Sequence, residues 1–146
     1  LNNKRHINMI QSLQTRAIHK ITFKNLHDNM TPIFKELNII KFNDLIHLFN
    51  CVLMFQFETG NLPEAFQNFS SFIKDEHNYN TRSVTEGLHV IPTVHTRAYG
   101  SLSIKNICIN DWNNFKRLFS REVKQPNLTL NKVKSLFKNH VFNMYT

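Results

Sequence analysis

The sequence predicts a mainly α-helical protein with at most a minor β-ribbon around residues 88–105. Apolar residues recur at three- and four-residue steps in several stretches, which is the spacing of an amphipathic helix. Proline and glycine lie at the ends of these stretches, where they start or close helices. Of the 146 residues, 41% are hydrophobic and 12% are aromatic. This composition supports a hydrophobic core and argues against a disordered chain.

The first two helices are predicted near the amino terminus. Residues 5–22 form the longer one, and we expect its apolar stripe to face the core. Thr31 and Pro32 then predict the start of a short second helix, because threonine can cap a helix and proline fits its first turn. The stripe of the first helix consists of Ile7, Ile10, Leu13, Ala17, Ile18 and Ile21.

Residues 43–59 form the most apolar segment of the chain. Their side chains are apolar almost all round the helix, which predicts a central, buried helix. Gly60 follows at the position where a helix commonly ends with a positive φ angle. Pro63 then starts another short helix over residues 64–69.

Helical periodicity fades between residues 70 and 100. Residues 76–83 are polar and rich in asparagine, so we expect an extended or turning loop there. Residues 88–99 combine β-branched side chains with Pro92, which predicts either a strand at a sheet edge or irregular structure. Residues 101–105 are compatible with one further brief strand.

Two more helices are predicted in the carboxy-terminal part of the chain. The first covers residues 107–119, with Trp112 among the side chains expected to face inward. The second covers about residues 129–145, with Thr129 as its candidate N-cap. The basic side chains predicted on the polar side of this last helix are Lys132, Lys134 and Lys138.

Positive charge is concentrated at the two ends of the chain. The net charge is +8, yet residues 42–81 carry five acidic side chains and a single lysine. Residues 1–24 carry five basic side chains and no acidic one, and residues 112–146 carry seven basic side chains and one acidic one. Such clusters favour a polyanionic partner, because contacts with phosphates release condensed counterions. The face of the first helix opposite its apolar stripe collects Arg5, Arg16 and Lys20.

Several other classes of protein are not supported by the sequence. No stretch approaches the roughly 18 uncharged apolar residues that a membrane span needs. Two cysteines make no disulfide framework, so we expect a reduced intracellular setting. Of the eight histidines only His47 shares a helix face with a cysteine, Cys51, and core packing explains that pair better than a metal does. Cys51 is expected to be buried, and Cys108 has neither His nor Arg within four residues, so no activated thiolate is expected.

The most specific motif of the chain, at residues 77–83, reads HNYNTRS. It follows residues 13–23, which read LQTRAIHKITF, and residues 31–45, which read TPIFKELNIIKFNDL. It precedes Trp112-Asn113 and a closing basic helix. In this order the motifs resemble, nearly from end to end, the C-terminal part of the reverse transcriptase of non-LTR, LINE-type, jockey-like retrotransposons. The chain departs from the family at residues 108–112, which read CINDW, where many relatives have Gly-Pro-Lys before Ile-Trp-Asn.

The resemblance implies three regions within one compact unit. Residues 1–70 would be a thumb-like helical region, residues 71–106 a polar loop with a short-strand segment, and residues 107–146 the C-terminal basic helices. It also implies that catalysis resides upstream, because the palm of a reverse transcriptase holds two Mg²⁺ ions with a Tyr-x-Asp-Asp hairpin. No Asp-Asp pair occurs in this sequence. We therefore expect a non-catalytic fragment, without a cofactor of its own, of a polymerase that uses Mg²⁺.

The resemblance further implies an RNA template and a DNA primer as partners, beside the upstream palm. A thumb helix lies along the template–primer duplex, so Arg5, Arg16 and Lys20 are expected to contact its phosphates. The lysines of the last helix would form a second contact. The alternative is a structural or protein-interaction module that braces the polymerase without touching nucleic acid.

Two interpretations of the HNYNTRS motif remain open at this point. In the first, Arg82 pairs with a phosphate and Tyr79 stacks on a base. In the second, the motif is a structural loop, in which asparagine side chains cap backbone groups and Tyr79 fills the core.

Overall fold

A computed structural model of the chain describes residues 3–24, 28–76, 79–96, 100 and 102–145. It contains 66% helix, and the described residues form no β-sheet, which confirms the mainly α-helical fold class. None of the described helices is long and apolar enough to cross a membrane. The helical elements are α1 (Asn3–Thr22), α2 (Thr31–Glu36), α3 (Phe42–Glu58), a 3-10 turn (Glu64–Phe66), α4 (Ile73–Glu76), α5 (Arg82–Thr85), α6 (Ile104–Leu118), α7 (Ser120–Val123) and α8 (Leu130–Met144).

The residues group into two compact units. Unit 1 comprises Leu1–Leu48 and Ser135–Thr146, so it joins the two ends of the chain. Unit 2 comprises Phe49–Lys134. The division falls within α3 and within α8, and each of these helices therefore contributes residues to both units.

The core of unit 1 is formed by α1, α2 with Met30 before it, and the carboxy-terminal part of α8 with Tyr145 after it. The hydroxyl of Tyr145 donates to the Asp44 carboxylate at 2.5 Å and accepts from the backbone N–H of Lys41 at 2.9 Å. The Lys41 ammonium lies 4.6 Å from the centre of the Tyr145 ring, within cation–π range. Burial and the hydrogen bond to Asp44 raise the pKa of the Tyr145 hydroxyl. The buried side chains of this core are Ile18, Met30, Ile33, Phe34, Val141 and Tyr145.

The apolar stripe of α1 is largely exposed, and the prediction that it faces the core is wrong. Ile18 is buried, but Ile10 is 41% exposed, Leu13 is 54% exposed and Ile21 is 68% exposed. The helix itself is formed as predicted, over residues 3–22. The period of the apolar residues therefore predicts the helix correctly but not the side that packs on the rest of unit 1.

Two glutamines of α1 turn inward instead, because the start of α3 needs hydrogen-bond partners. The side chain of Gln14 accepts from the N–H of Phe42 at 2.8 Å and donates to the carbonyl of Ile40 at 2.9 Å. Gln11 accepts from the N–H of Asn43 at 3.2 Å. The first N–H groups of a helix have no partner within it. The two side chains satisfy these groups, which fixes the rotation of α1 about its axis.

Unit 2 is built around Trp112 of α6, which is fully buried. Its ring stacks on Phe115, with 7° between the planes and 5.3 Å between the centres. It also meets the edge of Phe55 from α3 at 6.3 Å. The predicted inward position of Trp112 is confirmed. Gly60 closes α3 with a φ of 69°, again as the sequence predicts.

The segment between residues 70 and 106 contains more helix than the sequence predicts. The end of the predicted loop, residues 82 and 83, belongs instead to α5, whose N-cap Thr81 accepts from the N–H of Val84 at 3.4 Å. The brief strand suggested over residues 101–105 gives way to the start of α6 at residue 104. Capping decides both cases, because Ser103 likewise accepts from the N–H of Asn106 at 3.4 Å.

In the part of the chain that the structure describes, β structure is limited to one antiparallel bridge between Phe72 and His89. The adjoining N–H of Val90 donates to the carbonyl of Ser71 at 2.9 Å. The His89 ring stacks on the Phe72 ring at 4.3 Å and is fully buried. The bridge therefore fixes His89 in the interior of unit 2.

Candidate nucleic-acid interface

Three cations of α1 are exposed to solvent: Arg5, Arg16 and Lys20. The helix carries no acidic side chain, and among the described residues none of these three forms an ion pair. Residues four apart are neighbours on a helix, so Arg16 and Lys20 lie side by side. Arg5 lies on the same side about three turns earlier. The structure thus places the three predicted cations on one solvent-facing side of α1.

A cavity of about 490 Å³ lies beside the carboxy-terminal part of α1. The described side chains that line it are all basic: Arg16, His19, Lys20 and Lys24. We call it the basic cavity. His19 is only 8% exposed, whereas the three charged side chains are exposed. His19 lies between Arg16 and Lys20 in the sequence and Lys24 follows them, but neither belongs to the row of cations predicted from helical spacing.

The lysines of α8 differ from one another in their surroundings. Lys132 and Lys134 are exposed, and they point to different sides of the helix because residues two apart do not face each other. Lys138 is half-buried, and its ammonium lies 5.3 Å from the centre of the Phe142 ring. Lys132 and Lys134 belong to unit 2 and Lys138 belongs to unit 1. Lys134 and Lys138 lie four residues apart and are neighbours on the helix, whereas Lys132 points to a different side.

The Arg82 side chain is 91% exposed, but its charge has a partner. Its Nε donates to the Glu86 carboxylate at 2.7 Å, one helical turn later. This hydrogen bond and the charge of Glu86 raise the pKa of Arg82. The Nε of Arg117 lies 3.9 Å from the other oxygen of Glu86. This pair engages Nε, and a guanidinium has further N–H donors, so Arg82 could still donate to a phosphate while Glu86 offsets part of its charge.

The rest of the HNYNTRS motif is divided between described and undescribed residues. His77 and Asn78 lie outside the described residues, and so do Arg97 and Tyr99, which follow the motif in the sequence. Tyr79 is 78% exposed, so the interpretation in which its ring fills the core is wrong. Gly100, between this motif and Trp112, packs closely on Val94, whose Cβ would lie 2.5 Å from a Cβ added to this glycine. That position has no room for a side chain.

An unpredicted polar cluster lies in the interior of unit 2, at the carboxy-terminal end of α3. One oxygen of Glu58, Oε1, accepts hydrogen bonds from His89 Nε2 at 2.5 Å and Trp112 Nε1 at 2.8 Å. The same oxygen accepts from the Lys116 ammonium. Lys116 also donates to the carbonyl of Gly87 at 2.6 Å. This cluster, which we call the Glu58 cluster, joins α3, α6 and the segment around residue 88.

The side chain of Asn113 holds the other side of His89. Its Oδ1 accepts from the backbone N–H of His89, and its Nδ2 donates to the carbonyl of the same residue, both at 2.9 Å. Both residues are buried. The Trp112-Asn113 pair of the motif thus has a structural role, since each side chain satisfies a polar group that is enclosed in unit 2.

Ser70, His89 and Glu58 form a hydroxyl–imidazole–carboxylate chain. The Ser70 Oγ lies 3.0 Å from His89 Nδ1, and Glu58 is bound to Nε2 of the same ring. Acyl-transfer enzymes use the same three groups to activate a serine. Here the His89 ring is fully buried beneath Phe72, and Lys116 and Trp112 also bind Glu58. The arrangement satisfies buried polar groups and gives a substrate no access to the imidazole.

Glu58 remains ionised in this interior position. Burial alone would raise the pKa of its carboxyl group, but the hydrogen bond from His89 and the charge of Lys116 outweigh burial. The pKa of Glu58 is therefore lowered from its ordinary value.

We expect unit 2 to lose stability in acid through Glu58. Because the folded pKa of Glu58 lies below its unfolded value, the stabilisation is complete above about pH 5 and disappears as the pH falls through the folded pKa. Trp112 is the single tryptophan, so its fluorescence reports the unfolding of unit 2. Urea midpoints measured at stepwise lower pH should fall more steeply for the natural chain than for Glu58→Gln. Parallel curves would contradict this role of Glu58.

The two cysteines are buried in unit 2. Burial raises the pKa of the Cys108 thiol to about 11, and it raises the pKa of Cys51 further. Cys108 donates to the Asn50 side-chain oxygen at 3.3 Å. Thiols with raised pKa values stay protonated at neutral pH and are weak nucleophiles.

Among the described residues, no group of three or more His, Cys, Asp or Glu side chains is placed to hold a metal ion. His47 and Cys51, which share one face of α3, differ in environment, since His47 is exposed and Cys51 is buried.

Comparison with known proteins gives this chain no relative: no family model, no curated protein and no solved structure matches it.

Proposed function

We propose that this chain is a non-catalytic C-terminal part of a LINE-type reverse transcriptase and that it binds template–primer nucleic acid through α1. The observation that carries the proposal is the row of exposed cations on α1, which have no acidic side chain within their own helix. The succession of motifs in the sequence supports the family. The proposed partners are the RNA template, the DNA primer and the polymerase palm upstream, where the Mg²⁺ ions would be held.

The chemistry of such a contact is electrostatic and independent of base sequence. A polymerase must move along its duplex, so its thumb needs contacts to phosphates rather than to base edges. Lysine and arginine on one helix face supply these contacts, and each neutralised phosphate releases counterions. Arg5, Arg16 and Lys20 meet this requirement, because they share one exposed side of α1.

The decisive experiment is a charge reversal on α1. We expect the double variant Arg16→Glu, Lys20→Glu to bind an RNA–DNA duplex about tenfold or more weakly, by a similar factor for every sequence tested. The slope of log affinity against log salt should become shallower by about two, because two phosphates are no longer neutralised by the protein. Fluorescence anisotropy over a range of salt concentrations measures both quantities.

The matched control for this double variant is Lys35→Glu, an exposed lysine of α2 in the same unit. Lys35→Glu lowers the net charge by two, as each of the two α1 substitutions does, but Lys35 lies outside the proposed contact face. Equal weakening by Lys35→Glu and by either α1 substitution alone would show that only net charge matters. That result would contradict a defined contact surface on α1.

A second candidate function is supported by the exposed apolar side chains of α1. Met9 is 57% exposed, and Ile10, Leu13 and Ile21 are also exposed. Large exposed apolar patches mark surfaces that bind other proteins. In this alternative, α1 braces the polymerase by packing on its palm, without contact to nucleic acid. Unchanged affinity for the RNA–DNA duplex in the Arg16→Glu, Lys20→Glu variant would favour the alternative.

A further inference from the structure

We infer that the basic cavity beside α1 binds a phosphomonoester group, and that its source is the terminal phosphate of a nucleic-acid strand. This inference rests on the proposed function and goes beyond it. The proposed function needs phosphate contacts anywhere along a duplex, whereas the basic cavity would recognise the end of a strand.

The lining of the basic cavity indicates an anionic ligand. Arg16, Lys20 and Lys24 bring three positive charges to a space of about 490 Å³, and His19 completes the described lining. Cavities that bind small molecules typically measure about 300–1,000 Å³. The space therefore has room for a phosphate together with part of the nucleotide that carries it.

His19 provides an independent indication that the cavity binds a ligand. The residue is 8% exposed, and in the described part of the chain its Nδ1 is buried without a hydrogen-bond partner. A buried polar atom without a partner costs free energy, and nearly all such atoms in folded proteins are paired. An imidazole N–H can donate to a phosphate oxygen, and His19 is among the residues that line the basic cavity, so an anion bound there would offer this side chain a partner.

A role in stabilising the helix explains only part of this arrangement. Cations in the last turn of a helix interact favourably with its dipole, which accounts for Lys20. Arg16 lies more than a turn before the end of α1 at Thr22, beyond the reach of this effect. The dipole also gives no partner to the buried nitrogen of His19.

The number of positive charges favours a phosphomonoester over a phosphodiester. A phosphomonoester carries a charge of about −1.5 to −2 at neutral pH, whereas each backbone phosphodiester carries a single negative charge. Arg16, Lys20 and Lys24 supply three cations to one cavity. Such a site discriminates in favour of the more highly charged group at the end of a strand.

Phe23 adds a surface for the neighbouring base. It separates α1 from Lys24, its side chain is 94% exposed, and its backbone has a φ of 53°. A left-handed backbone conformation is unfavourable for a bulky residue, and an exposed aromatic ring contributes no hydrophobic stabilisation that would offset this cost. An aromatic ring beside a phosphate site can stack on the terminal base. Phe23 directly precedes the lining residue Lys24, so its exposed ring is available to an unpaired base at the end of a strand.

The test compares two duplexes that differ only in one terminal group. An RNA–DNA duplex carries either a 5′-phosphate or a 5′-hydroxyl on one strand, with a dye at the opposite end, and anisotropy measures the dissociation constant for the full chain. We expect the phosphorylated duplex to bind about tenfold more tightly, since hydrogen bonds to charged groups are among the stronger ones. Inorganic phosphate should compete for the difference.

The informative variant is Lys24→Gln, because Lys24 is exposed, lies outside α1 and is not needed for the α1 contacts of the proposed function. It should abolish most of the preference for the 5′-phosphate, while Lys35→Gln should retain it. His19→Phe should also abolish it, with circular dichroism confirming that the helices persist. Retention of the preference in Lys24→Gln and in His19→Phe would overturn the inference.

The remaining outcomes separate this inference from the proposed function. Equal binding of the two duplexes by the natural chain would overturn the inference and leave the proposed function intact. If neither duplex binds, the proposed function fails, and calorimetry with inorganic phosphate then tests whether the basic cavity binds phosphate at all. Saturable binding that Lys24→Gln removes would support a phosphate site. No binding of phosphate would overturn the inference. Binding to phosphatidylcholine vesicles containing phosphatidic acid, without binding to the phosphorylated duplex, would overturn the assignment to nucleic acid.

Discussion

The substitution Glu58→Gln is expected to destabilise unit 2 by about 3 kcal/mol, because it leaves the Lys116 ammonium buried without a compensating charge. Breaking one partner of a buried ion pair is costly, even where the intact pair contributes little net stability. Glutamine keeps the size of the side chain and an oxygen for the bonds from His89 and Trp112. The effect therefore isolates the charge. Urea unfolding followed by Trp112 fluorescence measures it in unit 2.

Two companion variants make the Glu58 result interpretable. Glu64→Gln removes an exposed carboxylate of the same unit and should change the free energy of unfolding by less than about 0.5 kcal/mol. The double variant Glu58→Gln, Lys116→Met should recover most of the stability, because it removes both buried charges together. Failure of the double variant to recover stability would show that the unpaired charge is not the cause.

Asn113→Ala should destabilise unit 2 by about 2–4 kcal/mol, since it removes two hydrogen bonds at once. The Asn113 side chain is the partner of both the N–H and the carbonyl of His89, and these groups are enclosed in unit 2. Each polar group left buried without a partner costs about 1–3 kcal/mol. The free energy of unfolding, again from Trp112 fluorescence, measures the effect.

The neighbouring Asn114 is the matched control for Asn113, because it lies on the same helix and is exposed. Asn114→Ala should be nearly neutral or slightly stabilising, since alanine is the better helix former. A similar decrease of stability in both variants would indicate an effect on helix α6 in general rather than on the two bonds to His89.

The positions of the longer helices could be predicted from local sequence. Apolar spacing, Gly60 and the capping residues specify α1, α3, α6 and α8 within a few residues. The short helices were harder to predict. A single turn such as α5 depends on one cap, Thr81, in a polar segment without apolar periodicity. The pattern that signals a helix needs more than one turn to become visible.

The orientation of α1 illustrates what local pattern cannot decide. Its apolar stripe predicts an inward face, yet Gln11 and Gln14 occupy that position because they bind the first N–H groups of α3. Those N–H groups lie about 30 residues away in sequence. Only the folded arrangement shows that they need partners.

The Glu58 cluster and the basic cavity show the same division. Glu58, His89 and Lys116 lie in three separate segments, and nothing in any one segment indicates that they meet. The exposed cations of α1, in contrast, are evident from helical spacing alone. His19 lies three residues after Arg16 on the same helix. Only the structure shows that its Nδ1 is buried without a hydrogen-bond partner among the described residues.

The sequence by itself determined the mainly helical class, the extents of the longer helices and the basic character of α1. These features depend on contacts within one helix, where residues three and four apart are neighbours. The tertiary structure alone decided which side of α1 is buried, that Glu58 gathers three donors, and that Arg16, His19, Lys20 and Lys24 line one cavity. The physical reason is that buried hydrogen-bond groups must find partners, and the nearest partner in space is often distant in sequence.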